Sequence, residues 1–130
     1  MKIAVLIART LLALIFVVFG INFFFPFLKM APPVMSAPAT AFSTGLFGSG
    51  YFFPFLKSLE IISGLFLLFN RFTPFFLLVL LPISVNIFLF HLILAPYAIA
   101  MGTGILALEL FLCIAYRKYY QSVFTVNPTV

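Results

Sequence analysis

Four apolar runs of about twenty residues each govern what this chain can become, because a helix needs about that length to cross the hydrocarbon of a bilayer. They run from Ile3 to Phe25, Tyr51 to Asn70, Thr73 to Leu94 and Tyr97 to Tyr116. Of the 130 residues 65% are hydrophobic and only 7% charged, against about a quarter charged in an ordinary soluble domain. Twenty phenylalanines also exceed what one small water-facing core would hide. The runs are apolar on every side, whereas strands of a membrane barrel alternate apolar and polar residues. The expectation is an all-α, polytopic four-helix transmembrane bundle over residues 1–118, followed by a polar tail at 119–130.

The breaks between runs are specific. Lys2 and the apolar run behind it imitate a secretory signal. The run outlasts a typical signal core, however, and no small-residue cleavage site follows directly, so it reads as a retained helix. Pro26 to Gly50 is the one sizeable connection. It carries Pro32, Pro33 and Pro38, then Thr40 to Phe47, which suit a short helix lying at the interface, and then Gly48 and Gly50. Pro54 falls in the first turn of the second span, where a missing N–H costs little. Thr73-Pro74 reads as an N-cap and a first-turn proline, so the link Asn70-Arg71-Phe72 forces spans two and three into an antiparallel pair.

A net charge of +5 does not point to nucleic acid, since the basic residues are spread over segment ends. Four spans put both termini on one side with Lys2, Arg9, Arg71, Arg117 and Lys118, leaving Lys29 and Lys57 opposite. That bias favours cytoplasmic termini. The hexapeptide Phe24-Phe25-Pro26-Phe27-Leu28-Lys29 recurs as Phe52-Phe53-Pro54-Phe55-Leu56-Lys57. Nothing around it continues the match, and both copies suit the outer interface, where aromatics and snorkelling lysines are favoured. One cysteine, Cys113, excludes an intramolecular disulfide or a thiolate metal cluster and reads as a packing residue. One histidine cannot supply both axial ligands of a haem.

Polar residues inside a membrane are costly and therefore informative. Glu60 and Glu109 are the chain's two acids, and both fall within spans. In the outer half, Lys57, Glu60, Asn86, His91 and Asn22 reach compatible depths at a rise of about 1.5 Å per residue, and together they form a candidate ligand site. Glu60, Ser63, Gly64 and Leu67 share one helical face, with Ile62, Phe66 and Phe69 opposite, suited to lipid. On a straight helix His91 lies about 140° from Asn86, which predicts different neighbours for the two. Pro82 is placed to kink the third span. In the inner half, Arg9 and Glu109 lie within about one turn of the same depth, which predicts a structural ion pair joining the first and last spans. Both polar levels can be read as glue between helices, and the outer one equally as a ligand site.

Taken in order, these residues resemble the DoxX family of small bacterial membrane proteins. The resemblance is carried by Arg9 with Leu11-Leu12-Ala13-Leu14-Ile15-Phe16 and Gly20-Ile21-Asn22. It continues through Gly50-Tyr51, Lys57, Glu60, Gly64, Leu67-Leu68 and Asn70-Arg71 to Leu81-Pro82, Asn86 and Leu89-Phe90-His91. It covers most of the chain and weakens in the fourth span. It implies a four-helix bundle in the bacterial cytoplasmic membrane and, from one branch, an association with thiosulfate:quinone oxidoreduction. This chain has no flavin motif, metal motif or redox cysteine pair, so no catalytic residue is assigned and electron transfer would need a partner subunit. Three functions follow as expectations: a bundle binding a small lipophilic ligand such as a quinone, a membrane subunit of a quinone-linked oxidoreductase, or an assembly module for another membrane protein, possible homo-oligomers included. Transport by a lone four-helix chain without an inverted repeat is the weakest.

Overall fold

The computed structural model describes residues 1–29 and 34–130, so Pro32 and Pro33 of the long connection lie outside the described residues. The elements are α1 (Lys2–Phe24), α2 (Ala37–Gly48), α3 (Phe52–Leu68), α4 (Thr73–Leu89) and α5 (Ile99–Ala115). A π-helical turn at Phe90–Leu94 extends α4, a 3-10 turn at Pro96–Ala98 leads into α5, and another at Arg117–Tyr119 follows it. No strand occurs among the described residues. With their flanking turns, α1, α4 and α5 are each long and apolar enough to cross a membrane. The bent pair α2–α3 meets the same test jointly, with 88° between its two limbs.

Helices α1, α3, α4 and α5 close a ring in which α1 packs on α3 and α5, and α4 packs on the same two. Leu12, Ala13, Phe16, Leu67, Leu77, Leu80, Ile105 and Leu112 fill its centre. Small residues let the backbones approach. A Cβ on Gly64 would lie 3.0 Å from the Ala13 carbonyl oxygen of α1, and one on Gly102 would lie 3.2 Å from Phe88 Cα of α4. Where lipid replaces water, such close packing is a main source of helix association. In α3 the buried residues are Glu60, Ser63, Gly64 and Leu67. Ile62 and Phe69 face outward, but Phe66 does not simply face lipid: its ring stacks on Phe76 of α4 at 4.5 Å.

The helix ends differ from expectation in ways local chemistry explains. The interfacial helix begins earlier than Thr40, at Ala37, because the Ser36 hydroxyl accepts from Ala39 N (3.4 Å) and Pro38 occupies the first turn. Thr73 is not the N-cap of α4. Phe72 holds that place with φ 52°, and the Thr73 hydroxyl donates to Asn70 Oδ1 at 2.8 Å. Asn70 is also left-handed (φ 53°), so the three-residue link turns without a glycine. Asparagine tolerates that conformation; an aromatic residue there is uncommon. Helix α4 runs on through Pro82, which lies on the outward surface. The tail is not detached from residue 119 onward: Tyr120 is buried, and its hydroxyl donates to the Pro74 carbonyl at 2.9 Å.

Candidate functional site

The site sits at the end of the bundle opposite the two termini, where α2 crosses over α3 and α4. Glu60 is buried on the inner face of α3. Lys57, one turn earlier and half-buried, reaches down so that its Nζ lies 3.1 Å from Glu60 Oε2. This is the only salt bridge among the described residues. Gly20 of α1 backs it: a Cβ there would lie 3.4 Å from the Lys57 carbonyl oxygen, so α1 presses against the turn that carries the lysine.

Asn86 and His91 face the same space from α4. A cavity of about 380 Å³ is bordered by Lys57, Glu60, Asn86, Ile87, Phe90 and His91. Its remaining wall is largely aromatic, from Phe42 and Phe47 of α2 and Phe52 and Phe53 of α3. This volume lies within the range of small-molecule sites, which are mostly apolar with a few converging polar groups. The expected separation of Asn86 from His91 needs correcting. Around α4 the order by angle is Asn86, Phe90, Ile87, His91, and all four line the cavity. The 140° between the two polar residues is thus the width of one wall.

The hydrogen-bonding state of these side chains matters as much as their position. His91 Nδ1 lies 2.8 Å from the Ile87 carbonyl oxygen. A carbonyl only accepts, so Nδ1 carries the hydrogen, and in the neutral ring Nε2 remains an acceptor. The Asn86 side chain makes no hydrogen bond among the described residues, although it lies within a membrane-spanning helix. The backbone at His91 is itself irregular, since the turn closes through Ala95 N to Phe90 O at 3.1 Å, and π turns frequently mark functional sites. Ser36 Oγ donates to Leu94 O at 3.1 Å and fastens the start of α2 to that turn. Phe47 stacks against Phe53 at 4.4 Å and Phe42 approaches Phe90 at 5.6 Å, which closes an aromatic roof.

Two sequence assignments fail. Asn22 does not join the site: its Oδ1 accepts from Phe27 N (3.1 Å) and Leu28 N (2.9 Å), tying down the chain as it leaves α1. Asparagine followed by exposed backbone N–H groups favours this local bond over a distant partner. Nor do Arg9 and Glu109 pair. Arg9 Nη1 instead donates to the Tyr116 hydroxyl at 3.3 Å, and the thiol of Cys113 donates to Glu109 Oε1 at 3.7 Å. Side chains on a helix lean toward its N-terminus, so Arg9 is carried toward the end of the bundle and away from Glu109. Glu109 Oε2 and Arg9 Nε are both buried without a hydrogen-bond partner among the described residues. Cys113, expected only to pack, thus also supplies a weak donor.

A feature the sequence did not disclose is a second, smaller cavity of about 200 Å³ on the bundle side of the same cluster. Phe16 and Phe19 of α1, Lys57, Glu60, His91, and Met101 and Ile105 of α5 border it. The ion pair and the imidazole therefore form a partition between two voids. Finding this required knowing which helices are neighbours, and spacing along one helix carries no such information. Comparison with known families, with curated proteins and with solved structures gives no match.

Proposed function

We propose that this protein is a DoxX-like, non-catalytic membrane component. It binds a small lipophilic molecule bearing carbonyl or hydroxyl oxygens, a quinone being the natural candidate, in the cavity beneath α2. The observation that carries this reading is Asn86. A carboxamide at membrane depth without a protein partner faces a cavity that also holds the Lys57–Glu60 pair and His91. An amide left unpaired in hydrocarbon, where no water can satisfy it, is costly, and a ligand carbonyl accepting from its NH₂ removes that cost. His91 Nε2 can accept from a ligand hydroxyl, and the aromatic roof suits a flat ring. Five basic residues on the face with the termini against two on the other support a cytoplasmic placement of the termini.

The test is the lipid extract of the protein purified under mild conditions, searched by mass spectrometry for a stoichiometric quinone or related lipophile. Asn86→Ala is the preferred variant because its side chain holds nothing else in place. Glu60→Gln breaks a buried ion pair, a change worth about 3–5 kcal/mol, so it is read only alongside a folding control. Loss of the bound molecule in Asn86→Ala, with an unchanged melting curve, supports the site. Full retention in a folded Asn86→Ala protein and in His91→Ala defeats it.

A further inference from the structure

At the face carrying the termini, a cleft of about 280 Å³ lies between the start of α1 and the end of α5. Lys2, Val5, Leu6 and Arg9 form one wall, a stripe at the i, i+3, i+4, i+7 spacing of a single helical face. Ala115 and Tyr116 form the other wall. The cleft is thus cationic at both ends of the α1 stripe and apolar between, with a phenolic hydroxyl opposite.

Arg9 has no counter-ion among the described residues. The sequence holds two acids. Glu60 is taken by Lys57 at 3.1 Å, and Glu109, fully buried, makes no salt bridge with Arg9. The guanidinium has five N–H donors and gives one, at 3.3 Å, to Tyr116; its Nε has no hydrogen-bond partner among the described residues. Arg9 lies about 10 Å along α1 from Lys2. An arginine can extend from that depth to the level of the headgroups, and it grips a phosphate with two parallel hydrogen bonds. A cation at this depth needs an anion, and none of the described residues supplies one.

We infer that this cleft is a binding site for one anionic phospholipid of the leaflet on the terminal face. The lipid phosphate is held by Arg9 and Lys2, Tyr116 adds its hydroxyl, and the first part of an acyl chain lies on Val5, Leu6 and Ala115. Basic pockets between transmembrane helices recognise such headgroups. The inference is independent of the cavity beneath α2.

The experiment uses the full chain in mild detergent, with phosphatidylglycerol and phosphatidylcholine of identical acyl chains titrated separately and retained lipid counted by native mass spectrometry. The wild-type protein is expected to keep one phosphatidylglycerol at least tenfold more strongly than phosphatidylcholine. Arg9→Gln is expected to lower that preference about fivefold or more, in line with the worth of one basic residue near an anionic surface. Arg9→Lys should fall between the two, since it keeps the charge and loses the fork. Arg71→Gln, on the same face but outside the cleft, is expected to change nothing. Should Arg9→Gln fail to fold, Lys2→Gln at the cleft mouth carries the same expectation. Equal losses in the Arg9 and Arg71 variants would mean diffuse attraction and overturn the site. Displacement of the lipid by millimolar inorganic phosphate would overturn it in favour of a small-anion site.

Discussion

Replacing Gly64 with alanine tests the packing on which the whole bundle rests. The added methyl would lie 2.7 Å from Val17 Cγ2, 3.0 Å from Ala13 O and 3.3 Å from Val17 N, all on α1. The valine methyl can rotate away. The other two atoms are backbone, so relief requires α1 itself to retreat by a few tenths of an ångström. A radial gap of about 0.5 Å already forfeits about a quarter of each dispersion contact, and overpacking a filled core costs about 1–3 kcal/mol. The expected loss is therefore about 2 kcal/mol, a shift of roughly 30-fold in the folding constant, measured by reversible unfolding in bicelles or by steric trapping. Val17→Ala added to Gly64→Ala should restore part of the loss, since it removes one of the three clashes. Gly104→Ala is the internal control. Nothing lies within 4 Å of a Cβ there, so the extra methyl should be neutral or mildly stabilising. A neutral Gly64→Ala, or one no worse than Gly104→Ala, would refute the close approach of α1 and α3.

Further outcomes follow from the polar contacts. Glu109→Met removes a buried carboxyl oxygen that has no partner, so stability should rise by about 1 kcal/mol; a loss of several kcal/mol in thermal unfolding would instead mean that Arg9 depends on it. Tyr120→Phe should release the tail from α4, read as faster protease cleavage after Arg117. Burial holds the Tyr120 phenol above its ordinary value of 10.0, so its contribution is complete below about pH 10. It falls as pH climbs beyond that point, and the phenylalanine variant should lack this alkaline step. Ser36→Ala removes both the cap of α2 and its tie to Leu94 and should speed amide exchange in α2 about fivefold, the effect of one lost cap. Exchange unchanged in α2 would show that the aromatic roof alone holds it.

What the chain disclosed in advance was governed by single-helix physics. The spans and the buried face of α3 follow from hydropathy and a 3.6-residue period, and both were legible. So was the meeting of Lys57, Glu60, Asn86 and His91, because depth along a helix is arithmetic. The errors came where a side chain chose between a local and a distant partner. Asn22 took two nearby amides, and Arg9 took Tyr116, choices that depend on side-chain direction and on loop backbone. The repeated hexapeptide shows the same limit from the other side. Its first copy ends α1, with Pro26 just past the last turn, and its second opens α3, with Pro54 inside the first turn. Proline is compatible with either position, so identical residues stop one helix and start another. The residue just before the first copy nevertheless reaches the second: the rings of Phe23 and Phe53 lie 6.0 Å apart.

The 88° bend between α2 and α3 has a consequence for how any occupant arrives. With α2 laid across the top and Asn86 exposed on the flank of α4, the way in from the side runs through the leaflet rather than through water. Occupancy is then set by mole fraction in the surrounding lipid. A modest intrinsic affinity suffices for a molecule that partitions strongly, and dilution of the aqueous phase leaves the complex intact. Titrations in vesicles should accordingly collapse onto one curve when plotted against mole percent of ligand in lipid, whatever the total volume.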